Sequence, residues 1–134
     1  MTQLHHVAAP EGLAPGTGYS HVVWGTGRFV AVSGQIALDE KGDLVGEGDP
    51  AAQARQVFAN LGRCLAAAGA TFADVVKLTY FVTDIDHLPP IREARDEVVD
   101  PARPPASSAV QVTALIRPEL LLEIEAYAIV GETT

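Results

Sequence analysis

The run LLLEIEAYAIV, Leu120 to Val130, decides the architecture. Leu122, Ile124, Ala126 and Ala128 alternate with Glu123, Glu125 and Tyr127, a period of two that an extended strand resolves into one apolar and one polar face. Immediately upstream, Ala106 to Thr113 alternates too, after an Asp100 to Pro105 linker held extended by Pro101, Pro104 and Pro105. Val75 to Thr83 is β-prone and apolar on both faces, as a strand covered on two sides would be. Between these strands a helix is predicted from about Leu88, its first turn tolerating Pro89 and Pro90. Ile91, Ala94 and Val98 form its buried side, while Arg92, Glu93, Arg95, Asp96 and Glu97 face elsewhere. A longer helix starts at Asp49-Pro50, an N-cap followed by a first-turn proline, and stops at Gly69. Its stripe is Ala54, Val57, Phe58, Leu61, Leu65 and Ala68. Tyr19 to Trp24 and Phe29 to Ile36 read as a β-hairpin turned at Gly25 to Arg28, and Met1 to Thr17 as an irregular arm. The order β-β-α-β-α-β-β gives a two-layer α+β domain over residues 1–134, with two helices on one face of a mixed sheet. The other face has no cover, which predicts self-association in closed cyclic symmetry.

Composition narrows the function. Of 134 residues, 17 are Asp or Glu and 9 are Lys or Arg, a formal charge of -8 that repels phosphate backbones and anionic lipid heads. Nucleic acid and membrane are therefore not expected partners, and without a signal-peptide core or a spanning run the location expected is cytoplasmic. A lone cysteine, Cys64, excludes an internal disulfide and reads as a space-filling thiol beside the helix stripe. His5, His6, His21 and His87 lack the one-face spacing of a metal site, and Gly25-Thr26-Gly27 is a turn, since no helix or lysine follows it. Neither a metal nor a cofactor is expected.

More specific are the runs GYSHVV (Gly18 to Val23), VSGQIALD (Val32 to Asp39) and LLLEIEAYA (Leu120 to Ala128). With the Asp49 to Gly69 helix and VVKLTYFVTDID (Val75 to Asp86), they make the chain resemble the YjgF, or reactive intermediate deaminase (Rid), family over about residues 13 to 130. The resemblance implies a chorismate-mutase-like fold assembled as a homotrimer, with small-molecule clefts between subunits. It further implies the reaction of many relatives, hydrolysis of reactive 2-imino or enamine acids to 2-keto acids and ammonia without a cofactor. In relatives an arginine holds a substrate carboxylate and a glutamate handles water.

Carried over by position, the resemblance makes Glu123 the water-handling glutamate and Tyr19 the cleft tyrosine, with Ser33 and Gly34 beside them. The family's arginine precedes a Ser-Cys-Val or Ser-Thr-Val run; in PPASSAVQV (Pro104 to Val112) that place holds Ser107, and Ala109 stands where cysteine or threonine is usual. Arg92 falls where asparagine is common. An arginine fork donates two charge-assisted hydrogen bonds of roughly 1.5 to 3 kcal/mol each, against one neutral bond near 1 kcal/mol from a serine. Standard 2-imino acids should bind poorly unless Arg92 supplies the charge from another wall. Two functions stand at this point: an imine or enamine hydrolase with Glu123 as acid/base, Tyr19 assisting and Ser33, Gly34, Arg92, Ser107 and Ala109 binding, or a non-catalytic metabolite-binding or regulatory trimer. RNA cleavage, attributed to some relatives, is opposed by the charge.

Overall fold

The computed structural model describes residues 3–131. In chain order the elements are β1 (Leu4–Val7), β2 (Val22–Gly25), β3 (Arg28–Gln35), α1 (Pro50–Ala67), β4 (Val75–Val82), α2 (Leu88–Asp96), β5 (Ala106–Gln111) and β6 (Leu122–Val130). Helix α1 begins as its sequence requires. The Asp49 carboxylate accepts from the Ala52 amide at 3.1 Å, Pro50 occupies the first turn, and Gly69 leaves the helix at φ +73°. Ala54, Val57, Phe58, Leu61 and Leu65 are buried against the sheet and α2.

Strand β6 lies inside a four-stranded sheet of order β3-β6-β4-β5. It pairs antiparallel with both neighbours, while β5 runs parallel to β4, so the sheet is mixed. Leu122, Ile124, Ala126 and Ala128 are buried beneath the two helices, as their alternation predicts. Gln53 of α1 is wholly buried and ties this layer together. Its Nε2 donates to the carbonyls of Gly46 (3.1 Å) and Glu119 (3.0 Å), and its Oε1 accepts from the Leu121 amide at 2.9 Å. A buried side-chain amide is tolerable because its donors and acceptor are met.

The opposite sheet face is uncovered in the single chain. Phe29 is 64% exposed, Val110 45% and Tyr127 38%, with the Phe29 and Tyr127 rings 5.5 Å apart. The sequence reading of a two-layer α+β fold with helices on one face therefore holds. Among the described residues, no helix is long and apolar enough to cross a membrane.

Three local expectations are corrected. The β2–β3 hairpin does not form: β2 pairs with β1 in a separate two-stranded sheet, while β3 pairs with β6. Gly27 lets the chain cross between the sheets at φ +153°, where a Cβ would strike the Val130 carbonyl. The arm read as irregular over residues 1–17 contains β1, because backbone pairing with β2 and the burial of Leu4 compensate for its few large apolar groups; Met1 and Thr2 lie outside the described residues. Finally, α2 ends at Asp96, so Val98 is past the helix and exposed, while Arg95 occupies the buried side instead.

Candidate active site

The residues singled out from the sequence form two groups. The first surrounds a small cavity, about 20 Å³, between α2 and the edge of the sheet, and includes Tyr19, Arg92, Ser107 and Ala109. Parallel pairing of β4 with β5 sets Ser107 beside Leu78 and Ala109 beside Tyr80, all on the helix side. The loop before β2 closes the cavity from above. Its Ser20 amide donates to the Pro105 carbonyl at 3.1 Å, and the Ser20 hydroxyl to Pro104 at 2.7 Å, which fastens the loop to the start of β5. The Tyr19 ring folds over Gly16, where any Cβ would collide with it.

Four further residues line this cavity that the sequence reading did not assign to it, Thr17, Leu88, Tyr80 and Arg95. Arg95 is only 9% exposed, and its Nε and Nη2 both meet one Asp96 carboxylate oxygen at 3.0 Å. Gly18, at φ +76°, allows the loop to approach the guanidinium, since a Cβ there would lie 2.9 Å from Nη2. Among the described residues, the buried Tyr80 hydroxyl has no hydrogen-bond partner. Burial pushes its pKa up to about 12, opposed by the charge of nearby Arg95, which favours the ionised form. Arg92 lines the same cavity but remains exposed. A signal for Arg95 was present: it follows Leu88 by seven residues and Ile91 by four, the spacing of the buried helix face. Its charge argued for solvent and concealed that.

The second group is on the uncovered sheet face. Val32 pairs with Ala126 and Gln35 with Ile124, so Ser33 and Gly34 form a bulge across from Glu125. The bulge brings Gly34 under Glu123. A Cβ on Gly34 would collide with the Glu123 carboxylate, which therefore occupies the space that glycine leaves free. Phe81 is the cross-strand neighbour of Glu123, and Glu125 faces Thr79. Ser33 is exposed and Glu123 half-buried.

One chain does not unite the groups. Glu123 is on β6 opposite Phe81 and Ser107 on β5 opposite Leu78, so they are separated by about 10 Å across the sheet and about 10 Å along it, and they project from opposite faces. A wider cleft, about 770 Å³ and lined by His6, Arg28, Asp74, Asp100 and Arg103 among others, contains none of the residues singled out as site residues. The arrangement supplies a carboxylate and a bulged backbone on one surface and hydroxyls with a buried cation on another.

Comparison with known proteins follows the same outline. Residues 9–130 match the family model described as endoribonuclease L-PSP. The chain is 36% identical over 126 residues to the human 2-iminobutanoate/2-iminopropanoate deaminase, covering 94% of this chain and 88% of that one. It is 35% identical over 122 residues to the 3-aminoacrylate deaminase RutC of Acinetobacter baylyi, covering 91% and 95%. A crystal structure of a Rid-family protein of unknown function from Yersinia pestis superposes with a TM-score of 0.81 at 39% identity, over 95% of this chain and 98% of that one.

Proposed function

This chain belongs to the YjgF/Rid family, whose model is described as endoribonuclease L-PSP, and on that premise we propose that it hydrolyses small imines or enamines in a cleft shared by neighbouring copies of a homotrimer. The carrying observation is the Glu123 carboxylate held over Gly34 on a sheet face that the single chain leaves open. A second copy meeting that face with its β5 edge brings Tyr19, Ser107 and Ala109 opposite Glu123. Likeness to two named deaminases over nine-tenths of the chain supports the reaction class.

The chemistry uses protein groups and water. Water adds to the imine carbon as Glu123 accepts its proton, and the π electrons move to nitrogen, which is protonated in turn. The hydroxyl proton of the resulting carbinolamine passes by way of the Glu123 carboxylate to its nitrogen, the C–N bond breaks as the C=O bond forms, and a carbonyl compound and ammonia leave. An enamine enters the same route after a proton moves to its carbon. Tyr19 orients water or donates to the departing amine, while backbone donors near Gly34 and Ala109 stabilise developing charge.

Ser107 narrows the substrate. It offers one neutral donor where relatives place an arginine, so a 2-imino acid gripped by a fork at that position is not the substrate. RNA is disfavoured by the formal charge of -8. Ammonia release from imines generated in situ tests the proposal. Wild type should accelerate at least one of them, and Glu123→Gln should reduce that rate by about 10²- to 10⁴-fold. No acceleration across carboxylate-bearing and carboxylate-free imines, or an undiminished rate in Glu123→Gln, would establish the non-catalytic binding reading instead.

A further inference from the structure

We infer that Arg95 and Tyr80 form a carboxylate anchor at the floor of the cleft, reached past Ser107, so that the substrate is an imine or enamine carrying an acidic group extending toward helix α2. The ligand class rests on the hydrolase reading above; the anchor rests on geometry. Arg95 is nine-tenths buried, yet its acceptor among the described residues is a single oxygen of Asp96, a side chain half in solvent. That contact engages Nε and Nη2. A planar guanidinium has donors to spare in this position. The Tyr80 hydroxyl, also buried and beside the Arg95 guanidinium, has no partner at full hydrogen-bond geometry among the described residues and lines the same cavity with Ser107.

Leaving a buried donor unmet is costly, and the Tyr80 hydroxyl is such a donor on the space that the buried Arg95 guanidinium also lines. At about 20 Å³ the cavity admits one oxygen-sized group. The group that satisfies a cation and two hydroxyls together is an acceptor carrying negative charge, and a carboxylate oxygen meets the size as well. Serine at position 107 contributes by being short. An arginine there would compete with Arg95 for the same charge and fill the approach to it. Arg92 at the exposed edge adds attraction without burial.

The test compares wild type with Tyr80→Phe, Arg95→Lys and Arg95→Gln in two measurements. One is kcat/KM for a carboxylate-bearing imine divided by that for the imine with methyl in place of the carboxylate. The other is calorimetric titration with 2-oxobutanoate. Loss of a charge-assisted bond should lower the ratio about 10- to 100-fold in Arg95→Gln, less in Arg95→Lys and Tyr80→Phe, and weaken 2-oxobutanoate in the same order. Tyr80→Phe removes only an unpartnered hydroxyl, so it keeps the test decisive if Arg95→Gln does not fold. An unchanged ratio and affinity in Tyr80→Phe and Arg95→Lys overturns the anchor, as does failure of wild type to bind millimolar 2-oxobutanoate. If wild type hydrolyses neither imine but binds the keto acid in an Arg95-dependent way, the hydrolase reading fails and the anchor stands.

Discussion

Replacing Gly34 by alanine isolates the feature on which the proposed chemistry turns. Gly34 does not have a positive φ, so its backbone accepts alanine without strain. The added methyl would lie 2.7 Å from Cδ and 2.8 Å from Cγ of Glu123. Since carbon atoms rest roughly 3.5 to 4.0 Å apart, the carboxylate must retreat by about 1 Å. A displacement of that size in a reacting constellation costs on the order of 10²-fold in rate. Stability should hardly change, because the half-buried glutamate can swing aside and Gly→Ala typically gains about 0.4 to 1 kcal/mol through the unfolded chain. Ammonia release and urea unfolding on the same preparation separate the two effects. The reasoning is refuted if Gly34→Ala keeps kcat near wild type while Glu123→Gln loses it, or if the alanine unfolds the protein.

Gln53→Leu should destabilise by about 3 to 5 kcal/mol in urea unfolding, because it strands the Gly46 and Glu119 carbonyls and the Leu121 amide; a loss below about 1 kcal/mol contradicts the buried network. Alkaline pH should also destabilise. Folded Tyr80 keeps its proton to about 12 whereas the unfolded phenol releases it near 10, so the unfolded state binds fewer protons and stability falls as pH rises across that window, by up to about 3 kcal/mol. Tyr80→Phe should remove that share of the slope; an unaltered alkaline profile would show that the hydroxyl is not buried as described. Lysine at Phe29 or Tyr127 should convert the proposed trimer to single folded copies in sedimentation, with far-ultraviolet circular dichroism retained. A wild type that sediments as a single copy would remove the shared cleft.

Much of the layer structure was legible from residues close together in the chain. The alternation of β6, the Asp49 cap and the stripe of α1 depend on periodicity and on hydrogen bonds spanning a few residues, so their reading survived. Glu123, Gly34, Tyr19, Ser107 and Ala109 could be marked by likeness to a family, but their grouping could not. Bringing Glu123 to Gly34 required β3 to bulge against a strand some ninety positions away. The failed hairpin has the same origin. Neighbouring strands β2 and β3 looked like partners, yet each gained more from a distant strand, β1 and β6 respectively.

Arg95 marks the boundary most clearly. From the chain alone it was a charged residue on a short helix, for which water is the ordinary surroundings. Its burial follows from where α2 ends, how closely Gly18 brings the overlying loop, and which edge of the sheet the helix crosses. Periodicity, caps and net charge are properties of neighbouring residues and can be read without folding anything. Strand partners, a bulge over a missing Cβ and a guanidinium enclosed beside a tyrosine arise when surfaces far apart in the chain compete to be buried, and that competition is settled by all contacts at once.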